Sequence, residues 1–126
     1  MVHKEKTLKN KEELQKTRLD SIKRILRQTH IDGDLDLRDT SITNLGNLES
    51  ISGNLDLRNT PITNLGNLTS VGGNLYLFST LITNLGNLTS VGGDLYLYNT
   101  PISKMNELQR QEIVKNVKVK GRIIYD

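Results

Sequence analysis

Four consecutive stretches of twenty residues align without a gap in this 126-residue chain. They read IDGDLDLRDTSITNLGNLES (31–50), ISGNLDLRNTPITNLGNLTS (51–70), VGGNLYLFSTLITNLGNLTS (71–90) and VGGDLYLYNTPISKMNELQR (91–110). A fifth unit, VKGRIIYD, begins at Val119. A repeat this short cannot bury its own apolar face, so each unit must lay that face against its neighbours, and the chain is confined to a stack of like units. The shared pattern, I-x-G-x-L-x-L-x-x-T-x-I-x-x-L-x-x-L, gives each unit six apolar positions, a Gly and a Thr.

Each unit divides into a strand and a return. Leu35 and Leu37, with Leu55/Leu57, Leu75/Leu77 and Leu95/Leu97, alternate with polar residues at period two. That alternation puts one side of a short strand inside and the other in water. Ile42, Leu45 and Leu48 follow at intervals of three in a stretch too short, and too rich in Gly and Asn, for a full helix. Extended or 3₁₀-like turns are expected there. Gly33, Gly53, Gly73 and Gly93 precede the strand leucines by two residues, where a positive φ or a close approach between coils excludes a Cβ. Thr40, Thr60, Thr80 and Thr100 end the strands, with hydroxyls placed to satisfy backbone groups as the chain turns. Asn44, Asn64 and Asn84, with Asn47, Asn67 and Asn87, read as intra-turn hydrogen-bonding groups. At about 4.8 Å between paired strands, the coils make a parallel sheet about 20 Å long.

Such a stack has two open ends. Residues 10–30 supply a cap for the first: Asn10 and Glu13 resemble a capping box, and Leu19, Ile22, Ile25 and Leu26 share one helical face. Residues 103–116 depart from the repeat and lengthen the fourth unit by eight residues. Ser103, as N-cap ahead of Met105, Leu108 and Ile113, predicts a second, shorter helix before the chain re-enters the sheet over 119–125. The expected organisation is a flexible basic N-terminus (1–9), a capping helix (10–30), four repeats (31–110) and a C-terminal cap of helix end and last strand (111–126).

The run L-x-L-x-x-T-x-I resembles the leucine-rich repeat signature L-x-L-x-x-N-x-L, with Thr40, Thr60, Thr80 and Thr100 where that family has Asn or Cys. The resemblance covers residues 31–110 and the fragment 119–126. Here the upstream apolar residue precedes the strand leucine by four positions, with Gly between, where the common repeat uses three. That variant is similar to the receptor L-domain pattern, and similar short repeat chains are met in bacterial and bacteriophage proteins. The resemblance implies an α/β solenoid: a leucine-rich-repeat-like parallel sheet of about five short strands, an N-terminal capping helix and a short helix before the last strand. It also implies a binding scaffold whose sheet is the contact face.

Composition narrows the function. Cysteine is absent, which excludes a disulfide framework and a thiolate metal site. The charge-dense opening MVHKEKTLKNKEEL predicts neither a secretory signal nor a membrane span, and so a cytoplasmic location, in the host cytoplasm for a phage-encoded protein. In that compartment the glycosylation sequons at Asn67 and Asn87 go unread. The net charge of +3 is the sum of +5 over residues 1–30, −5 over 31–100 and +3 over 101–126. A basic head, an acidic middle and a basic tail predict surfaces that meet partners of different sign.

Residues beside the strand leucines form a grid on the outward side. Its first column is Asp34, Asn54, Asn74, Asp94 and Arg122; its second is Asp36, Asp56, Tyr76, Tyr96 and Ile124; its third is Arg38, Arg58, Phe78, Tyr98 and Asp126. Scaffold positions barely change between units, while the columns switch character halfway along. Of the five aromatic residues, Tyr76, Phe78, Tyr96 and Tyr98 occupy adjacent squares, with Arg38, Arg58, Asp36 and Asp56 beside them. Clustered rings next to arginine are the composition of interface hot spots, although rings also suit strands and steady a thin sheet by packing across the ladder.

Catalytic and metal sites are not expected. Asp36 and Asp56 stand one strand spacing apart, about 5 Å, as in a retaining glycosidase pair, but each has an Arg two residues on. The DGDLD run over Asp32, Asp34 and Asp36 echoes a calcium loop without the glycine and glutamate such a loop requires. His3 and His30 have no ligand or triad partner at useful spacing. No cofactor is implied. The expected function is a protein-binding module acting through the sheet face, by binding or inhibiting a host or partner protein. One alternative is nucleic-acid binding through Lys16, Lys23, Arg24 and Arg27 on the basic helix. A second is structural self-assembly, with a homodimer formed through the C-terminal edge strand.

Overall fold

The structure, a computed structural model, describes residues 16–126, so the expectations for the tail at 1–9 and for Asn10, Glu13 and His3 lie outside the described residues. Helix α1 covers residues 16–25 of the described chain. Ten strands of two residues follow. β1 (His30–Ile31), β3 (Ser50–Ile51), β5 (Ser70–Val71), β7 (Ser90–Val91) and β9 (Lys118–Val119) form one five-stranded parallel sheet, here the upstream sheet. β2 (Leu35–Asp36), β4 (Leu55–Asp56), β6 (Leu75–Tyr76), β8 (Leu95–Tyr96) and β10 (Ile123–Ile124) form the second, downstream sheet.

The architecture is a short parallel-strand β-solenoid with two helices, and it has two sheets where the sequence suggested one. The first apolar residue of each unit pairs in register with its equivalent one coil away, Ile31 with Ile51, Val71, Val91 and Val119 in series. A two-residue strand is too short to display alternation, so only the L-x-L stretch carried a periodic signal. Between the two strands of a coil the chain bends at the glycine. Gly33 does so with φ +91°, whereas at Gly53 the constraint is crowding, because a Cβ would lie 2.5 Å from the Gly33 carbonyl.

The core is a stack of like side chains. Leu55, Leu75 and Leu95 are in register and fully buried, as are Leu57, Leu77 and Leu97. Ile62, Leu65 and Leu68 close the interior from the return side. Each such side chain contributes about 1.5–3 kcal/mol through removal from water. The return contains isolated turns, not a helix: Leu68 N–H donates to Leu65 C=O at 3.1 Å, and Asn64 Oδ1 accepts Gly66 N–H at 2.9 Å. At the strand ends the buried hydroxyls of Thr60 and Thr80 donate to the Leu57 and Leu77 carbonyls, each at 2.7 Å. The residue before each threonine, Asp39, Asn59, Ser79 or Asn99, takes a positive φ of 54° to 59°. Asp and Asn are the non-glycine residues that tolerate this conformation best.

Helix α1 closes the first end. Ile22 and Leu26 are buried against the core, Leu19 and Ile25 partly so, and the Leu26 carbonyl accepts Asn47 N–H at 2.8 Å, so the helix exit continues the coil ladder. At the other end a 3₁₀ turn (Ile102–Lys104) precedes helix α2 (Glu107–Val114). Its N-cap is Asn106, not Ser103: Asn106 Oδ1 accepts Gln109 N–H at 2.8 Å, and Gln109 Oε1 accepts Asn106 N–H at 3.1 Å. Ser103 is engaged one turn earlier, its hydroxyl donating to Thr100 C=O at 2.7 Å. Leu108 is exposed, and α2 packs on the core through Ile113 and Val114. Among the described residues no helix is long and apolar enough to cross a membrane.

The coil spacing leaves no room at Gly92, where an added Cβ would lie 2.0 Å from the Gly72 carbonyl oxygen. Gly92→Ala is expected to destabilise the protein by about 1–3 kcal/mol through overpacking, and Leu77→Ala by about 2–5 kcal/mol through a cavity. Urea unfolding checks both, and an unchanged Gly92→Ala midpoint would contradict this account of the spacing.

Candidate protein-binding face

The outward side of the downstream sheet divides into scaffold and surface. The first column lies outward and also serves the scaffold. Asp34 Oδ1 accepts Asn54 N–H at 2.7 Å, Asn54 Oδ1 accepts Asn74 N–H at 2.7 Å, Asn74 Oδ1 accepts Asp94 N–H at 2.8 Å and Asp94 Oδ1 accepts Arg122 N–H at 2.8 Å. Each carboxylate or amide thus bridges to the backbone of the next coil. A sign of this was present in the sequence, since all four full units keep Asp or Asn at this position while the neighbouring columns change.

The second and third columns carry the surface. Register pairs Asp36 with Asp56, Asp56 with Tyr76, Tyr76 with Tyr96 and Tyr96 with Ile124. Tyr76 and Tyr96 stack with ring centroids 4.9 Å apart and planes at 13°, and Phe78 and Tyr98 stack at 4.5 Å and 8°. The two stacks meet edge to face, Tyr76 against Phe78 at 6.4 Å and 85°. All four rings are half-buried, and they lie outside the leucine core. Such pairs contribute about 0.5–1.5 kcal/mol each beyond their area, so the packing reading and the binding reading share this geometry.

Arg58 is the hinge between the charged and aromatic halves. Its Nε and Nη2 both donate to Asp56 Oδ2, at 3.0 and 2.7 Å, while its guanidinium carbon lies 6.0 Å from the Tyr76 centroid and 5.4 Å from that of Phe78. The hydrogen bond to Asp56 raises the Arg58 pKa, with burial opposing. Arg38 Nε lies 3.2 Å from Asp36 Oδ2 in a more exposed copy of the pair. Asp36 and Asp56 are therefore each engaged by the arginine two residues on, and with Asn54 and Tyr76 they line an open depression on this face. Among the described residues no group of three or more His, Asp or Glu side chains could hold a metal ion.

His30 has partners that the sequence reading missed. Its Nδ1 lies 2.6 Å from Ser50 Oγ and its Nε2 2.9 Å from Asp32 Oδ1. The signal was the repeat itself, since His30 stands one unit ahead of Ser50 in the paired strands β1 and β3. Ser50, His30 and Asp32 are linked in the order of a nucleophilic triad but with the two ring nitrogens exchanged; Asp32 is 92% exposed, and the nearby N–H groups of Gly33 and Ser52 already donate to Ser52 Oγ and Ile31 C=O. The basic candidates Lys16, Lys23, Arg24 and Arg27 are all exposed on α1 or just beyond its end. The fifth aromatic residue, Tyr125, lies away from the patch under Arg110, whose guanidinium carbon is 4.5 Å from the ring. Compared with known proteins, the chain matches no family model, no curated protein and no solved structure.

The Tyr96 phenol is held above the ordinary tyrosine range, mainly by desolvation and further by the Asp94 carboxylate; burial does the same at Tyr125. A group whose folded pKa is raised stabilises fully below its unfolded pKa, and that contribution is lost as pH rises through the folded value. Absorbance titration of the tyrosinates should therefore show a late component in the alkaline range, and Asp94→Asn should move part of it to lower pH. A titration unchanged by Asp94→Asn would remove Asp94 from this account.

Proposed function

We propose that this chain is a protein-binding repeat module that works through the outward face of its downstream sheet. One observation carries the reading: two ring stacks, Tyr76/Tyr96 and Phe78/Tyr98, stand half-exposed beside Arg58 while leucine fills the core. Rings held by their neighbours lose little side-chain entropy when a partner lands on them. Tyr and Arg at the centre of a contact are what hot spots are made of. Asp36, Arg38 and Asp56 form the charged half of the same face. Its leucine-rich-repeat-like character belongs to the proposal, supported by the L-x-L-x-x-T-x-I run, and so does a cytoplasmic role in which a phage-encoded chain binds and inhibits a host protein. The protein acts by binding, without catalysis.

Two observations favour other partners. The exposed Lys16, Lys23, Arg24 and Arg27 give α1 and its exit a basic outer face suited to phosphates. Strands β9 and β10 each pair on one side only, leaving sheet edges that a second copy can meet.

The test is affinity capture from a bacterial lysate with the native protein and with a Tyr76→Ser/Phe78→Ser/Tyr96→Ser/Tyr98→Ser variant, each with and without nuclease. A protein held only by the native form, whether or not nuclease is added, is the expected result. Equal capture by both forms would sink the assignment. Nuclease-sensitive capture would move the site to α1, and a mass that rises with concentration would point to the sheet edges.

A further inference from the structure

We infer that the partner segment received by this face is cationic, with an arginine guanidinium seated on the outer face of Tyr98; this rests on the protein-binding reading and names the chemistry of the partner. The molecule contains its own template. On the side of the rings nearer the N-terminus, the Arg58 guanidinium lies 5.4 Å from the Phe78 centroid and is held by Asp56. Ring faces carry negative quadrupole density and attract such a cation. Phe78 then stacks on Tyr98 at 4.5 Å. Beyond Tyr98 the next residue in the column is the exposed Asp126, two positions after Ile124, which pairs with Tyr96. Among the described residues no cation and no further ring covers that side of Tyr98. In the register of the sheet Asp126 stands to Tyr98 as Arg58 stands to Phe78, a short carboxylate where the other end of the stack has a guanidinium that covers the ring.

The charge of the whole face agrees. Its columns and turn carry six carboxylates (Asp34, Asp36, Asp39, Asp56, Asp94 and Asp126) against Arg38, Arg58 and Arg122, six negative against three positive, a net of −3. Arg38 and Arg58 are spent on Asp36 and Asp56, and the other four carboxylates form no ion pair among the described residues. Complementarity therefore calls for a basic segment. Arginine suits it better than lysine, because a planar guanidinium lies flat on a ring while its fork reaches a carboxylate.

The probe is a dye-labelled octapeptide of four Gly-Arg repeats and its citrulline counterpart, titrated by anisotropy into the full chain and into Tyr98→Leu and Tyr98→Phe variants. The arginine peptide should bind at least about tenfold more tightly than the citrulline peptide. Tyr98→Leu, which keeps the apolar bulk, should weaken it about three- to thirtyfold, and Tyr98→Phe should leave it unchanged. Absence of binding, equal binding of the citrulline peptide, or native affinity in Tyr98→Leu would overturn the inference. The arginine peptide should also displace the protein captured from lysate. A captured protein that the four-serine variant loses but the peptide does not displace would overturn this inference and leave the binding face standing. Equal capture by native and variant forms would overturn both.

Discussion

The coil-to-coil register is the constraint from which the rest of the molecule follows. No coil is a fold by itself: its strands are two residues long, and its strand N–H and C=O groups find partners chiefly on the coils above and below. Three ladders depend on the same coil register. They are the parallel backbone pairs, the in-register leucines Leu55, Leu75 and Leu95, and the Asp/Asn side chains that reach the next coil's backbone from Asp34 to Arg122. An extra residue between the two strands of one coil would disturb all three together, because a one-residue slip reverses which side chains face inward. That shared dependence explains why the apolar and Asx positions scarcely vary among the units.

With those positions committed, the second and third columns of the downstream sheet are free to differ. In the first two coils they hold aspartate and arginine as internal ion pairs; in the next two they hold rings. Arg58 joins the halves, held by Asp56 and lying against both Tyr76 and Phe78. The face is therefore ordered by its own contacts, with side chains restrained by neighbours on the same sheet. Restraint of this kind lowers the entropic cost of association.

The two ends of the solenoid are closed to different degrees. Helix α1 buries Ile22 and Leu26 on the first coil, and its exit continues the hydrogen-bond ladder through the Leu26 carbonyl. At the far end α2 has no fully buried residue, and Val119, Ile123 and Tyr125 are only partly covered. The Arg110 guanidinium over Tyr125 adds one contact to this thinner packing. Opening of the last coil should cost less than opening of the central ones, since fewer apolar contacts oppose it.

Much of this was legible in the sequence because a repeat displays its own constraints. Leu35 through Leu97, the inward Ile42, Leu45 and Leu48, and the α1 face of Leu19, Ile22, Ile25 and Leu26 are positions where period and polarity alone separate inside from outside. The adjacency of the four rings followed from the same alignment. The second sheet was not legible, because Ser50–Ile51 and its equivalents are too short to show a period, and neither was the N-cap at Asn106, since Ser103 and Asn106 are equally good capping residues until the turn at Thr100 claims one of them. The destinations of individual polar groups were likewise left to the tertiary structure: Asp34 and Asn74 to the backbone of the next coil, Asp56 to Arg58, and His30 to Ser50 and Asp32. The sequence by itself determined a stack of like coils and which side chains line its interior, since hydrophobic burial acts through pattern. Only the tertiary structure decided which polar side chains became scaffold and which were left on the outward face, since hydrogen bonds depend on distances that no pattern contains.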